Sequence, residues 1–388
     1  MEKAGDKDAQ KKKAKPRAAL KRRGARSVRA EESRARVKES AKASPEGRRV
    51  TIKSVAEAAG VSIATVSFVL NKRPGQVISE PVRARVLEAA RRLHYAPSAA
   101  AAGLARKKTT NVAIFFYRND HLITNQMYSF VVQGAIKEAA EREYNVLFSF
   151  IDDEYRGYEE LPKVVRERNI EGALFIQHVS APLYEELKSR GLAAVAVDSH
   201  PEIEGLSAVY VDNERGGTLA AAHLSDLGHR ELGFLYASPE HPSIRVRKQA
   251  FLAEVKRCGQ RGKVHLIDAG ELTFQAGHRA ARRALAEQPR LTAIACVNDE
   301  LAAGVIRAAR ELGRRIPGDL SVLGYDDIIM AQYLDPPLST VGYDKEALGR
   351  VAMAELVDQI SRPDREPKPP ACVAAELVLR ETTGPAPC

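Results

Sequence analysis

The sequence predicts an α/β protein in which a small three-helix bundle and a linker precede a larger core of parallel sheets. Three observations lead to this fold class: a basic N-terminal segment with few large apolar residues, three short helical patterns, and then a long alternation of apolar runs and helical stretches. At roughly 100–200 residues per domain, 388 residues suffice for two or three domains. We divide the chain into residues 1–49, 50–96, 97–109 and 110–388.

The first 49 residues carry the net charge of the chain. They contain 18 Lys and Arg against 7 Asp and Glu, a net of +11, so the remaining residues carry −1 of the total of +10. Such a segment cannot bury enough apolar surface to fold alone, and we expect a disordered, solvated arm. Its cations would attract DNA or RNA through counterion release, without sequence preference. An incorrectly assigned start codon is the alternative explanation of this segment.

Hydropathy and cysteine usage favour a cytoplasmic protein. The longest apolar runs, such as Gly191–Val197, are far shorter than the roughly 20 residues that cross a bilayer. The N-terminus also lacks the apolar region of a secretory signal. Four scattered cysteines form no CxxC pair, and free thiols in a reducing compartment explain them better than disulfides or a zinc site. They are Cys258, Cys296, Cys372 and Cys388. We expect no metal or other cofactor.

Residues 50–96 predict three short helices. The stretch TIKSVAEAAGVSIATVSFVLN gives a helix, a turn and a second helix, with Thr51 and Ser62 as N-caps and Gly60 at the turn. A third helix follows, with Ser79 as its cap and an inner stripe that includes Leu87. An alanine-rich first pair of helices joined at a glycine is typical of a helix-turn-helix DNA-binding unit.

The second helix presents an outer face that suits a DNA groove. Its outward residues are Ile63, Ala64, Ser67, Phe68 and Asn71. Short hydroxyl side chains at or near helix N-termini can approach phosphates closely. This second group consists of Thr51, Ser62, Thr65 and Ser79.

The same stretch strongly resembles the opening signature of the lactose/galactose repressor (LacI/GalR) family of bacterial transcription regulators. The likeness continues through VRARVLEAARRLHYAPSAAAAGLARKKT and, more loosely, LVLRETT, and covers about Val50 to Thr383. The resemblance implies contacts to the DNA backbone and base-reading contacts. The backbone contacts fall on Thr51, Ser62, Thr65, Asn71 and Ser79, and the base-reading positions on Ile63, Ala64 and Phe68.

Phe68 departs from the family pattern, which usually has arginine at this position. An arginine can grip a guanine edge, a contact worth about 1–3 kcal/mol of discrimination, whereas phenylalanine packs against thymine methyl groups. We therefore hypothesise a shifted operator that is read by apolar contacts from Ile63, Ala64 and Phe68. The alternative is that Phe68 joins the core of the bundle and reads nothing.

Residues 97–109 predict a hinge. Pro97 ends the third helix, and Ser98 can cap a short alanine-rich helix that is marginally stable alone in water. Family resemblance makes Leu104 a wedge in the minor groove at the centre of the operator, where a kink costs a few kcal/mol. Ser98 and Ala102 replace polar residues that are common in the family, so we expect weaker binding by the hinge. A merely flexible linker is the alternative.

The remaining chain predicts two lobes, each with a parallel sheet. Nine apolar runs alternate with helical stretches such as residues 125–142 and 158–168, which indicates parallel sheets covered on both faces. Two such series suggest two similar subdomains, as in sugar-binding periplasmic proteins, with a ligand between the lobes at the carboxyl ends of the strands. The runs are NVAIFF, YNVLFSF, GALFI, LAAVAV, SAVYV, LGFLYA, KVHLID, TAIACV and LSVLGY.

Polar residues just after these runs are the candidates for ligand binding. They are Tyr117, Asn119, Asp198, Asn298, Asp299, Asp326 and Asp327, with Arg247 in a following helix. By resemblance, Asp198, Arg247, Asn298 and Asp326 match effector positions, Tyr343 matches a further one, and Leu272 or Phe274 supplies an apolar platform. A carboxylate that faces a guanidinium can bind vicinal hydroxyls, which suits a sugar or a sugar derivative.

Structural alternatives exist for several of these residues. Asp299 and Asp327 can simply cap helices, and Asp326 can form a structural ion pair with Arg247. Ala250 stands where the family has glycine, which suggests a smaller or differently placed ligand.

These observations predict a cytoplasmic, nucleoid-associated homodimer that binds a pseudo-palindromic operator on double-stranded DNA and responds to a small effector, most often as a repressor. The sequence has no P-loop, GxSxG or HExxH motif, so we expect no enzyme. Two other functions compete with this one. The first is a solute-binding receptor for transport, and the second is a nonspecific nucleoid protein driven by the basic arm.

Overall fold

The computed structural model describes residues 50–70, 78–96, 109–117, 126–152, 155–177, 179–199, 203–258, 263–365 and 368–387. The chain forms two compact units, Met1–Ala102 and Gly103–Cys388. The predictions for the basic arm, for the hinge with Ser98 and Leu104, and for Asn71 and Asn119 lie outside the described residues.

The first unit contains the three predicted helices: α1 (Ile52–Ala59), α2 (Ile63–Leu70) and α3 (Glu80–Arg92). Gly60 ends α1 with φ +63°, a left-handed conformation that glycine adopts without strain. Ser62 caps α2, since its Oγ accepts a hydrogen bond from the Thr65 amide at 3.1 Å. Thr51 and Ser79 occupy the N-cap positions of α1 and α3, as predicted.

Small side chains fill the core of this helical unit. Val55, Val66 and Val86 are fully buried, and Ala89 and Ala90 of α3 pack beside them. The prediction for Leu87 was wrong, because its side chain is 39% exposed. The alanines take the inner positions on α3, and their small volume lets three short helices pack closely.

The second unit contains two six-stranded sheets. The order in the first sheet is β11-β5-β4-β3-β1-β2, all parallel, and in the second β12-β10-β9-β8-β6-β7, parallel except for β12. The strands are β1 (Asn111–Tyr117), β2 (Asn145–Ile151), β3 (Gly172–Ile176), β4 (Ala193–Val197), β5 (Ser207–Val211), β6 (Glu231–Tyr236), β7 (Lys263–Asp268), β8 (Ala293–Cys296), β9 (Ser321–Tyr325), β10 (Ser339–Gly342), β11 (Ala371–Val373) and β12 (Glu376–Val378). The helices are α4 (Gln126–Glu141), α5 (Lys163–Arg166), α6 (Ala181–Ser189), α7 (Asn213–Asp226), α8 (Pro242–Arg257), α9 (Phe274–Glu287), α10 (Asp299–Glu311) and α11 (Lys345–Ser361).

All nine predicted strands are present, and one predicted helix was wrong. Residues 158–168 form a 3₁₀ turn (Tyr158–Glu160) and the short α5, not one helix. Pro162 explains the break, because proline disfavours the helical conformation of the residue before it, and Leu161 has ψ 135°.

The chain passes between the two sheets three times. It crosses from β5 through α7 to β6, then from β10 through α11 to β11, and finally from β11 to β12. Helix α11 packs on α4 and on strands β3 to β5, whereas α7 packs on α8 in the other lobe. Each lobe thus contains segments from distant parts of the chain.

Within the described residues, no single helix is long and apolar enough to span a membrane. The pair α1 and α2, bent by 104°, passes that test jointly by length and composition alone.

Candidate functional site

A cavity of about 940 Å³ lies between the two sheets of the second unit. Its walls come from the carboxyl ends of strands in both lobes, where ligands bind to open parallel sheets. The polar lining consists of Tyr128, Gln177, Asp198, His241, Ser243, Arg247, Glu271, Thr273, Gln275, Asn298, Glu300 and Asp326. Met127, Pro239, Ile244, Gly270, Leu272, Phe274 and Val297 complete it.

Arg247 of α8 is the buried cation of this lining, with 6% exposure. Its Nε donates to Asn213 Oδ1 at 2.6 Å, and its Nη1 donates to the Val297 carbonyl at 2.8 Å. The guanidinium carbon lies 3.7 Å from the ring centroid of Tyr325. Burial by itself would lower the pKa of Arg247. Tyr325 and Asp326 beside it oppose this effect, and the pKa of Arg247 is raised above its usual value. The guanidinium therefore stays charged and is fixed in one orientation.

Asp326 follows β9 in a left-handed conformation, with φ +100°, and faces Arg247. Its Oδ1 lies 3.8 Å from Arg247 Nη1 and accepts a hydrogen bond from the Tyr343 hydroxyl at 3.2 Å. Burial raises the pKa of Asp326, while Arg247 and Lys345 oppose that shift. The hydrogen bonds of Arg247 go to Asn213 and Val297, so the carboxylate and the guanidinium form a loose pair at the wall of the cavity.

The wall in the first lobe is centred on Asp198, which follows β4 with φ +58°. The Tyr128 hydroxyl donates to Asp198 Oδ2 at 2.9 Å, and Gln177 Nε2 donates to the same hydroxyl at 2.9 Å. Burial raises the pKa of Tyr128, and the charge of Asp198 raises it further. The tyrosine therefore remains a hydrogen-bond donor at neutral pH.

Sequence reasoning missed Tyr128 and Gln177. Gln177 comes directly after β3, so the signal that selected Asp198, a polar residue after an apolar run, applies equally to it. Tyr128 lies on the buried face of α4, where a tyrosine looks like an ordinary core residue.

Asn298 caps α10 and also lines the cavity. Its Oδ1 accepts from the Leu301 amide at 2.9 Å, and its Nδ2 donates to the Leu272 carbonyl at 3.3 Å. This second bond fixes the segment that carries Leu272 and Phe274, both of which line the cavity as predicted for an apolar platform.

The interpretation of Asp299 and Asp327 as helix caps was wrong. Asp299 is fully buried and accepts hydrogen bonds from Thr340 Oγ1 at 2.6 Å and from the Ile328 amide at 2.8 Å. Asp327 accepts from Arg380 Nη2 at 2.7 Å. Both side chains hold the segment between β9 and β10 instead.

The six predicted effector residues differ in their position. Asp198, Arg247, Asn298 and Asp326 line the cavity, while Tyr343 reaches it only through Asp326. Tyr117 does not line the cavity, because its side chain is 1% exposed and packs with Phe115 on the other face of the sheet.

Ala250 does not line the cavity either. A β-carbon placed on Gly217 of α7 would lie 2.9 Å from the Ala250 methyl group, so Ala250 is packed against that helix. Ala250 thus has no direct contact with the cavity, and the expectation of a smaller or differently placed ligand stays a prediction.

The helical unit exposes the predicted DNA-contacting residues to different degrees. The exposed ones are Thr51, Ser62, Ile63, Ala64 and Ser79. Thr65, Ser67 and Phe68 are half-buried. The side chains that pack on the core of this unit, among the described residues, include Leu70 but not Phe68.

Comparisons with known proteins identify the family. Residues 51–98 match the bacterial regulatory proteins of the lacI family, and residues 221–383 match a periplasmic binding protein-like domain. The ribose operon repressor of Escherichia coli K12 is 32% identical over 317 residues, which cover 81% of this chain and 94% of the relative. The HTH-type transcriptional repressor PurR of Vibrio vulnificus is 30% identical over 337 residues, which cover 86% of this chain and 98% of the relative. The chain belongs to the lacI family.

Solved structures agree with this assignment. The lac repressor dimer bound to operator and the anti-inducer ONPF has a TM-score of 0.75 at 25% identity and covers 87% of this chain and 100% of its own. A LacI-family regulator from Enterococcus faecium with bound ribose has a TM-score of 0.64 at 26% identity and covers 71% and 99%. The predictions of the fold class and of a ligand-responsive transcriptional regulator are confirmed, and the named relatives are repressors.

Proposed function

We propose that this protein is a repressor that binds a pseudo-palindromic operator as a homodimer, in the cytoplasm, and that a small polyhydroxylated effector in the cavity sets its affinity for DNA. The observation that carries this proposal is the cavity itself. Asp198 and Asp326 face Arg247 there from opposite lobes, on a chain that also has a lacI-family helical unit.

The DNA contacts follow from the exposed side chains of the helical unit. Thr51, Ser62, Thr65 and Ser79 contact phosphates, since their hydroxyl groups or the adjacent helix N-termini face solvent or are only half-covered. Ile63, Ala64 and Phe68 read base edges from α2. Asn71, Ser67 and the hinge residues Ser98 and Leu104 complete the set; of these, only Ser67 lies within the described residues.

The charges of the cavity limit the effector to neutral or cationic compounds. The described lining contains Asp198, Glu271, Glu300 and Asp326, against the single guanidinium of Arg247. Because two donors of Arg247 are already engaged by Asn213 and Val297, a phosphate or carboxylate would meet mainly carboxylates. Hydroxyl groups can donate to Asp198 and Asp326, so a neutral sugar or an amino sugar fits, and a sugar phosphate does not.

The dimer uses two exposed sheet edges, β2 in the first lobe and β7 in the second. Phe148 and Phe150 of β2 are 53% and 45% exposed, and Leu266 of β7 is 49% exposed. Both strands are edges of their sheets, and exposed apolar edges favour pairing with another chain. The lac repressor, a structural neighbour, is a dimer.

Operator binding is tested with the purified full chain. Footprinting across the source genome should give a palindromic site, and anisotropy titrations over a salt series should keep a preference of at least about 10³ for this site over random DNA. Equal affinity for both DNAs at every salt concentration would leave only nonspecific binding.

Effector binding is tested by calorimetry with neutral monosaccharides, beginning with D-ribose, each beside its phosphate ester. A neutral sugar should bind more tightly than its ester, and Arg247→Ala should weaken binding at least tenfold, about 1.4 kcal/mol. Undiminished affinity of the Arg247→Ala protein would remove Arg247 from the site.

A further inference from the structure

The first connection between the two sheets begins at Asn213. Strand β5 ends at Val211 in the first sheet, and α7 starts at Asn213 and leads to the second sheet. The Asn213 side chain is 1% exposed, and its Nδ2 donates to the Val211 carbonyl at 3.0 Å. The donor end of this amide is therefore tied to the last residue of a strand in the first lobe.

The acceptor end of the same amide points to the cavity. Asn213 Oδ1 accepts from Arg247 Nε at 2.6 Å and from the Tyr325 hydroxyl at 3.3 Å. Since a side-chain amide has one donor end and one acceptor end, these neighbours on both sides fix its orientation. One buried side chain thus joins the cavity guanidinium to the end of β5.

The start of α7 also holds the third connection between the sheets, which runs from β11 to β12. The Asp212 amide donates to the Val373 carbonyl at 2.9 Å, and Arg215 Nε donates to the Ala375 carbonyl at 2.9 Å. Ala375 lies between β11 and β12 and is 1% exposed. The first and third connections therefore meet at the N-terminus of α7, where Asp212 and Arg215 bind the end of β11 and Ala375 after it.

We propose that Asn213 is a positioning residue that couples the guanidinium of Arg247 to the first and third connections between the lobes. The proposal rests on the proposed function in taking the cavity as the effector site. Any movement of one lobe against the other changes backbone dihedrals in these connections. A ligand that engages Arg247 alters the strength of its Nε–H bond to Asn213, and this change reaches the connections through the amide.

Hydrogen–deuterium exchange on the full chain without ligand tests this coupling. Arg247→Ala should raise the exchange rate of peptides covering residues 207–217 and 371–378 by at least about threefold. Asn213→Ala should raise the exchange rate of the same peptides. In the double variant, which carries both substitutions, these peptides should exchange no faster than in Asn213→Ala alone. Arg247→Lys, which keeps the charge but lacks the Nε–H bond, repeats the test should Arg247→Ala fail to fold.

Asp212→Ala is the matched control at the same helix end. It removes the cap that accepts from the Arg215 amide at 2.9 Å but leaves the backbone bond of residue 212 to Val373 and the contact of Arg247 with Asn213. Arg247→Ala must therefore add its full increment in the Asp212→Ala background. The proposal is overturned if Arg247→Ala raises the exchange rate equally in the Asn213→Ala background. It is also overturned if Arg247→Ala alone leaves the exchange rate unchanged.

An NMR experiment tests the hydrogen bond between Arg247 Nε–H and the acceptor end of the Asn213 amide. In protein labelled with ¹⁵N at arginine, the buried Nε–H of Arg247 should exchange slowly, with its signal assigned by its loss in Arg247→Lys. The signal should persist in Asp212→Ala and in Asn213→Asp, which keeps the acceptor, and it should lose protection in Asn213→Ala. Persistence in Asn213→Ala overturns the proposal. Because neither measurement uses effector or operator, failure of the proposed function remains distinguishable from failure of this coupling.

Discussion

Phe68 stands on α2 where arginine is usual in the family, and base reading by its side chain stays a prediction. It is half-buried on α2, beside the exposed Ile63 and Ala64, and does not belong to the described core of the helical unit. The alternative that it fills the core therefore lacks support from the packing. We hypothesise that its ring packs against thymine methyl groups in the major groove.

Phe68→Arg should change the operator consensus. The guanidinium can bind a guanine edge bidentately, so site selection from a random library should enrich guanine at one position in each half-site, by about 1–3 kcal/mol of discrimination. Phe68→Leu, which remains apolar, should keep the native consensus. The same consensus for Phe68→Arg and the native protein would contradict base reading by this residue.

Asp299 is a second residue whose environment sets a measurable property. Burial raises its pKa well above the ordinary value of 3.8, with a further increase from Asp326, although Thr340 and the Ile328 amide oppose the shift. A carboxyl with a raised pKa in the folded state binds its proton there and releases it on unfolding. Its contribution therefore makes stability fall as pH rises from about 4 through the folded-state pKa.

Asp299→Asn should flatten this dependence. Urea unfolding from about pH 5 to about pH 8 should show that the native protein loses up to about 1.4 kcal/mol more per pH unit than the variant does. Asp319→Asn is the control, because the half-buried Asp319 has its pKa lowered to about 2 by Arg315 and does not titrate in this range. Parallel slopes for native protein and Asp299→Asn would show that Asp299 is ionised in the fold.

The sequence predicted several of the residues that line the cavity, but it did not predict the contacts between them. Asp198, Asn298 and Asp326 were found because parallel strands place the residues after them at one edge. Asn213 gave no signal, since its role depends on Arg247, which lies 34 positions away. The prediction that Tyr117 lines the cavity was wrong, because the alternation along β1 turns its side chain to the opposite face of the sheet.

At the scale of elements, strands buried on both faces could be predicted because they form continuous apolar runs. Strands β10, β11 and β12 could not, since they have three or four residues each and are defined by pairing with distant strands. The close contact between α4 and α11 is also invisible in sequence. A β-carbon on Gly349 would overlap the carbonyl oxygen of Val131, and one on Gly134 would overlap that of Glu346.

Gly349→Ala should destabilise the protein by about 1–3 kcal/mol, because the two helices must separate. In an unobstructed helix, the same change stabilises by about 1 kcal/mol, so the sign of the effect is diagnostic. Urea unfolding midpoints give the comparison, with Val351→Ala on the exposed side of α11 expected to stay within about 0.5 kcal/mol. A more stable Gly349→Ala protein would rule out the close approach.

The hinge lies outside the described residues, and its prediction depends on Leu104. Leu104→Ala should weaken operator binding at least tenfold, about 1.4 kcal/mol, because an apolar wedge that opens a base step is lost. Leu104→Met, which keeps an apolar wedge, should retain most of the affinity, and effector affinity should not change in either variant. Anisotropy titrations within error of the native protein for Leu104→Ala would favour a flexible linker.

The whole molecule joins a DNA-binding unit and an effector cavity on one chain, and thermodynamics then makes their coupling reciprocal. If saturating effector changes operator affinity by a factor of about 5–150, saturating operator must change the product of the two effector-binding constants of a dimer by the same factor. The two ratios are measured independently, by anisotropy with and without effector and by calorimetry with and without operator duplex. Arg247→Ala is the control, since it should keep operator binding while removing the shift.

Agreement of the two ratios would show that effector binding and operator binding form one closed thermodynamic cycle of the intact dimer. In an equilibrium between two states of the protein, each ligand can shift the populations only by the difference in its affinity for the two states. Asn213→Ala then becomes informative at this scale, because a weakened link between cavity and connections should lower both ratios together while leaving operator affinity without effector nearly unchanged. Unequal ratios in the native protein would mean that a third species, such as a dissociated subunit, takes part in the response.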